Sequence, residues 1–580
     1  MANTDREWEL DQGVPQVEDP FIQQYLGGRD ALIQEEKKQR HDVNFRKSMS
    51  PTAAVACRIV SQIREREKRT IWTKDLEESL ARETDEVLYQ GMMFNLAKDR
   101  MEKTDLWKIV QRMPKGSLLH AHMDAMFDID FLVEQALTTP GIHIRADSPL
   151  SNPVNLREAP IFFQYSSAPE AESDGKAPIW EAQYTPGSLI HVQKAAATHP
   201  GGLQGFREWL ESRCMLTRET AFGHHYGVDA IWAIFQRTFP IVGSMLYYEP
   251  IFRKCMRRML TQINGDGIRH CDFRIVLTFQ YRREGSDTPE PDYIEFFRVF
   301  KEEIESFKAT EEGKGYYGGR IIWTALRRTS NQAIVESMKQ CILAKKAHPD
   351  AIAGFDVVGQ EEQGRPLVDL VPVLFWFRKR CVEEGVEIPF FFHAGECLGD
   401  GDATDSNLFD AILLGTRRIG HGFSLYKHPL LVDLVKEKKI LIECCPISNE
   451  ILRLTNSILS HPLPALLSRG VTVSLCNDDP AILGHGKNGL THDFWQALNG
   501  LDNMGLEGLA TMAENSVRWS CYEDQTTAEW LQDIKEGITG DGLKAERLKE
   551  WHIQFEEFCQ WIVSEFGPQV EDAGGDDVQN

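Results

Sequence analysis

Short runs of apolar, β-branched and aromatic residues alternate along this chain with longer stretches in which apolar positions return every three or four residues. The short runs are Ser117 to Asp124, Cys271 to Thr278, Arg320 to Leu326, Ala351 to Gly359, Pro389 to Glu396, Arg417 to Phe423, Ile440 to Ser448 and Thr472 to Pro480. A short apolar run bounded by turn residues reads as a strand buried on both faces, and the stretches between suit helical crossovers. Eight such strands predict an α/β fold, a closed parallel (β/α)8 TIM barrel whose chemistry gathers at the carboxyl ends of its strands. A doubly wound sheet is the alternative, but no Gly-rich phosphate turn follows an early strand.

The same pattern divides the chain. Residues 1–112 are charge-rich and helical, with Leu76 and Leu80, then Leu88, Met92 and Leu96, at helical spacing. This N-terminal extension either packs on the barrel or serves as a dimerisation arm. The barrel is expected over 113–566. An excursion at about 140–190, rich in Pro, Ser and acidic residues and without a sustained period, looks inserted after the first strand rather than a domain of its own. Residues 567–580 read as a disordered acidic tail.

Composition narrows the partners. The formal net charge of -23 repels phosphate backbones and anionic lipid, so neither nucleic acid nor a membrane is expected, and a neutral small molecule fits better. No run approaches the roughly 18 apolar residues of a membrane span. The polar N-terminus, twelve cysteines without regular spacing and the lack of an Asn-x-Ser/Thr sequon suggest the cytoplasm.

Polar motifs fall where a barrel would use them. The first run ends His120-Ala-His122-Met-Asp124; the fifth ends with His393 and Glu396, the sixth carries His421, and the eighth ends with Asp478 and Asp479. Each alone is a weak signal: a His pair can be polar alternation, Glu396 a helix cap, His421 a core histidine and Asp478-Asp479 a turn. Together they say more. Residues i and i+2 on a strand face one way, so His120 and His122 can chelate one ion. His393 adds a third nitrogen and Asp478 an oxygen, a set zinc accepts while keeping a place for water, whose pKa it brings toward neutrality. His421 can then hold the water proton, Glu396 can protonate the substrate atom that gains electrons, and Asp479 can orient the substrate. His224-His225 lies outside any ligand spacing, near the cleft. Cys444, Cys445 and Cys476 read as buried apolar residues, Gly399 to Asp405 as a flexible active-site turn, and the aromatics of "IWAIFQ" and "LYYEP" as core, with some lining a substrate lid.

The ordered motifs "HAHMD", "FDVVG", "HAGE", "GHG" and "NDDP" resemble the adenosine deaminases from about Met113 to Ser520. "MPKGSLLHAH", "TRRIGHGFSLYKHP", "CPISNEILRL" and "DDPAILG" resemble the adenosine deaminase-related growth factor branch, which carries an N-terminal dimerisation segment and an insertion after the first strand. The resemblance implies a barrel of the metal-dependent hydrolase type with one zinc per chain on His120, His122, His393 and Asp478. It also implies that Glu396 protonates purine N1, that His421 orients and deprotonates the water, and that Asp479 contacts N7. Gly359 would donate a backbone N–H to N3, and Asp124 would meet ribose. Two departures bear on ribose: Ala125 stands where the deaminases have Gly, and the branch often places its aspartate directly after the second His. Secreted members carry signal peptides, which makes export the alternative location. The implied activity is deamination of adenosine or 2'-deoxyadenosine to the inosine product and ammonia, by a homodimer joined through its N-terminal helices. The alternatives are an amidohydrolase acting on another 6-aminopurine (adenine, a nucleotide or an N6-modified base) and a non-catalytic signalling member.

Overall fold

The computed structural model describes residues 8–76, 78–79, 93–168, 175–217, 220–221, 227–487 and 489–574. Leu80, Leu88, Met92, His224 and His225 lie outside the described residues. Strand β1 (Gly116–His122) is followed by three strands of the insertion, β2 (Ile142–Ala146), β3 (Ile161–Tyr165) and β4 (Ile190–His191). The barrel continues with β5 (Ile268–Val276), β6 (Gly318–Leu326), β7 (Ile352–Val358), β8 (His393–Ala394), β9 (Arg418–His421), β10 (Leu441–Cys444) and β11 (Val473–Leu475). Two parallel sheets, ordered β1-β5-β6-β7 and β11-β10-β9-β8, make the two halves. One seam is the Phe355 N–H to Pro389 carbonyl bond at 2.9 Å with Phe391 N–H to the Phe355 carbonyl at 3.0 Å; the other is His122 N–H to the Asp478 carbonyl at 2.8 Å. All eight expected barrel strands are present in order.

Several strands end before the apolar run does. β1 stops at His122, and Asp124 sits in a 3-10 turn over Met123–Ala125. β8 keeps only two residues and β11 three. Where a strand end turns its polar side chains to a shared centre, its backbone leaves the ladder.

The insertion is more regular than expected. β2, β3 and β4 form an antiparallel sheet ordered β3-β2-β4, with Ile144 opposite Phe163 and Ile190. Its short, Pro-separated strands carry too few residues to show a period, yet Ile142, Ile144, Ile161 and Phe163 are buried.

The N-terminal helices differ from each other. Helix α1 (Pro20–Lys37) buries no residue. Helix α2 (Pro51–Thr70) starts at Ser50, whose hydroxyl accepts from Ala53 N–H, with Pro51 in the first turn. It buries Ala53, Ala56, Ile59, Val60 and Ile63 and packs along the final helix. Each of its buried β-branched residues contributes about 1.5–3 kcal/mol. Helix α3 (Val228–Leu246) crosses the barrel mouth against β3, and helix α4 (Leu506–Arg518) backs β1 and β11. The final helix, α5 (Leu543–Gly574), runs past Gly567, where the sequence suggests order ends. Phe558, Ile562 and Phe566 are buried, so the apolar stripe that anchors α5 reaches to that point and the backbone continues helical beyond it. Among the described residues no helix is long and apolar enough to cross a membrane.

Candidate active site

The strand ends bring His120, His393, His421 and Asp478 within reach of one ion, and place His122 beside Asp478 and Asp479 in a second, overlapping group. His120 Nδ1 donates to Glu443 Oε2 at 2.8 Å and His393 Nδ1 donates to Asp356 Oδ2 at 2.7 Å. These bonds fix both rings and turn their Nε2 atoms inward, the outer support that metal-binding histidines commonly have. His122 Nε2 lies 3.4 Å from His393 Nε2. Asp478 Oδ1 is 3.2 Å from His120 Nε2 and 3.3 Å from His122 Nε2, while Ser448 Oγ donates to its other oxygen at 2.7 Å. His120 Nε2 and Asp478 Oδ1 are buried without a hydrogen bond.

Electrostatics suits the same purpose. Burial pushes His393 down to about 3 and lowers His122 and His421, so these imidazoles are neutral with a free lone pair. Burial alone would raise Asp478, but His421, with His120 and His122 close beside it, holds it well below the usual carboxylate range. Inward-facing nitrogens beside one carboxylate oxygen, with bonding capacity unspent, fit a divalent cation.

His421 and Asp478 hold φ of 61° and 58°, a left-handed conformation that costs a non-glycine residue about 1–3 kcal/mol and marks functional sites. The flanking glycines explain "GHG". A Cβ at Gly420 would lie 2.8 Å from His120 Cε1, and Gly422 itself has φ of 56°. His421 Nε2 lies 3.5 Å from Glu396 Oε1 and 3.8 Å from Asp478 Oδ2, and Asn449 Nδ2 lies 3.3 Å from His421 Nδ1.

Glu361 accepts from the Glu396 N–H at 2.8 Å and the Gly395 N–H at 3.3 Å, pinning the turn that carries Glu396. Burial, then the Asp478 charge, raises both Glu396 and Asp479 well above the ordinary range. Asp124 is pushed up to about 7 by burial and accepts from the Tyr247 hydroxyl. Gly359, with φ of 110°, needs the freedom only glycine has.

Eight of the nine residues singled out in the sequence line a cavity of about 620 Å3, and His120 is buried behind them. Trp232, Phe235 and Tyr247 line it too. The turn from Gly399 to Asp405 does not line it; Asp402 and Asp405 accept backbone N–H bonds within that turn. Cys444, Cys445 and Cys476 are buried and free. Missed in the sequence were Asp356, Glu443, Ser448, Asn449, Glu361 and Tyr247. A signal existed for two of them: Asp356 and Glu443 are lone acids in the middle of apolar runs.

A parallel barrel with a buried histidine and carboxylate cluster at its strand ends defines a metal-dependent hydrolase. The adenosine deaminase family model matches residues 223–537. The chain is 30% identical over 448 residues to an adenosine deaminase of Lutzomyia longipalpis, covering 76% of this chain and 81% of the relative. It is 28% identical to adenosine deaminase 2-A of Danio rerio over 450 residues (77% and 82%), and 28% identical to adenosine deaminase 2 of Dictyostelium discoideum over 550 residues (94% and 89%). The chain belongs to the adenosine deaminase family, in its growth factor-related branch, and is a hydrolase of the deaminase type.

Proposed function

We propose that this protein is a zinc-dependent deaminase that converts adenosine or 2'-deoxyadenosine and water to the inosine product and ammonia. The observation that carries the reading is the cluster of His120, His122, His393 and Asp478 beside Glu396, a carboxyl that burial raises well above its ordinary range. Those four residues would hold one zinc ion per chain. Bound there, zinc supplies Lewis acidity that brings the ionisation of water toward neutral pH.

The rest of the chemistry belongs to the chain. As water adds to C6, Glu396 gives its proton to N1, which takes up the electron pair of the C6–N1 double bond. His421 faces both Glu396 and Asp478; it takes the proton that water gives up and returns it to the departing nitrogen. The C6–N6 bond then breaks as the C6 hydroxyl gives its proton back to the Glu396 carboxylate, so that C6=O forms and ammonia leaves. Asp479, which burial raises well above its ordinary range, donates to N7. The Gly359 N–H meets N3, and Asp124 with Tyr247 meets ribose. Two chains pair through the N-terminal helices, because α1 exposes Phe21, Tyr25 and Leu32 and buries nothing.

Adenosine absorbance should decay to that of inosine in proportion to the zinc measured in the same sample, stop on chelation and return with zinc. A zinc-replete protein that turns over no 6-aminopurine nucleoside would overturn the reading. Phe21→Glu with Tyr25→Glu should give a monomer by light scattering, and an unchanged mass would remove the arm from the dimer.

A further inference from the structure

We infer that the outer half of the cavity is an anion subsite shaped for the phosphate of a purine 5'-nucleotide, an inference that rests on reading the deep half as a 6-aminopurine site. The four carboxyl groups lining the cavity, Asp124, Glu396, Asp478 and Asp479, all belong to the deep half. Among the described residues the other charged groups lining it, the metal-side imidazoles aside, are Arg145, Arg282, Arg327 and Arg328, with no acid among them. In a chain of net charge -23 such a segregated basic wall runs against composition, and a cleft lined by one sign focuses its field on the opposite charge.

These guanidinium groups are not used up by the fold. Among the described residues Arg282, Arg327 and Arg328 form no ion pair, and Arg145 has only Asp147 at 3.5 Å. The carboxylate near Arg282, that of Asp287, is engaged by Ser167, whose N–H donates to it at 2.6 Å. Arg327, 1% exposed, stands toward the deep half, where its Nη2 donates to the His393 carbonyl at 3.2 Å, and its Nε and Nη1 have no hydrogen-bond partner.

Contacts lead from the ribose end to this wall. The Tyr247 hydroxyl donates to Asp124, and the Tyr247 ring stacks on Phe279. Next comes Gln280, whose Oε1 accepts from Arg282 Nη2 at 2.9 Å. On the facing wall Phe163 N–H donates at 3.0 Å to Ser244 of α3, and Arg145 lies 4.6 Å over the Phe162 ring. Arg145 and Arg282 therefore stand one aromatic layer beyond Asp124. A phosphate monoester on the ribose 5'-oxygen would reach them, and the guanidinium fork matches its oxygens. A neutral nucleoside would leave them idle.

The test uses the zinc-loaded full chain with adenosine and adenosine 5'-monophosphate as substrates, and inosine and its 5'-monophosphate as ligands in calorimetry. The nucleotide should have the higher kcat/KM by about tenfold or more at low salt, an advantage that shrinks as salt rises, and inorganic phosphate should compete with it selectively. Arg145→Gln with Arg282→Gln should lower the nucleotide-to-nucleoside ratio of kcat/KM by about tenfold and weaken inosine monophosphate binding in parallel, with Arg282→Lys retaining part of both. Turnover of adenosine alone, or a ratio that the double variant leaves unchanged, overturns the subsite and leaves the deaminase reading standing. Tight inosine monophosphate binding lost in the double variant, without turnover of either substrate, would uphold the subsite and overturn the deaminase reading.

Discussion

Two layers of buried charge meet at the barrel mouth and behave oppositely. In the lower layer Arg274 bonds Asp356 Oδ2 at 2.8 Å and Glu443 Oε2 at 2.7 Å, and Arg418 bonds Glu443 Oε1 at 2.5 Å and Asp272 Oδ2 at 2.8 Å. Burial alone would raise these carboxyl groups, but His393 and Arg274 hold Asp356, and Arg274 and Arg418 hold Glu443, well below the usual range. In the upper layer Glu396 and Asp479 are equally buried, have no guanidinium bonded to them among the described residues, and are raised instead. The same functional group at the same depth is thus shifted in opposite directions by whether a guanidinium is bonded to it. The lower layer aims the histidines, and the upper one holds protons ready to give.

The largest expected effect is on the upper layer. Glu396→Gln keeps the shape and removes the acid, so kcat should fall by about 10^2 to 10^4-fold while bound metal and melting temperature stay near the parent's. Loss of metal in that variant would mean Glu396 belongs to the lower layer after all. Arg274→Met attacks the lower layer and leaves two buried carboxylates short of a partner. Denaturant unfolding should show a loss of about 3–5 kcal/mol; a change near zero would mean the network is not what fixes those charges. Glu443→Gln is milder, since the amide oxygen still accepts from His120 but without charge. Metal affinity should drop about 10 to 100-fold, with activity restored by excess zinc, and the comparison is weakened if added zinc has no effect on a crippled variant.

The sequence announces the upper layer and hides the lower one for a physical reason. Glu396, His421, Asp478 and Asp479 end their apolar runs, where a polar residue stands out against both the run and the turn that follows. Asp272, Asp356 and Glu443 sit within strands whose pattern otherwise reads as solid core, as in "CDFRIV", "GFDVV" and "LIECC". Only three-dimensional proximity reveals that Arg274 and Arg418, on different strands, neutralise them. The order of barrel strands was likewise legible because each run is continuous. The insertion sheet was not, because β4 is two residues long and its pairing with β2 joins positions far apart in the chain.

Glu450 gives the smallest and most pH-specific consequence. It accepts from Phe94 N–H at 2.6 Å and Gln496 Nε2 at 3.0 Å, joining the barrel mouth to the segment that leads into β1, and burial pushes it up to about 8. Its ordinary value is 4.5. The folded chain therefore binds this proton more tightly than the unfolded chain, and stability falls as pH rises from about 4.5 to 8. Glu450→Gln supplies a permanently neutral acceptor, so the melting temperature should lose a few °C less than the parent's over that span. Parallel pH profiles for the two proteins would show that an ionised Glu450 is tolerated in place, and that burial without a bonded cation does not by itself keep a carboxyl in this barrel protonated.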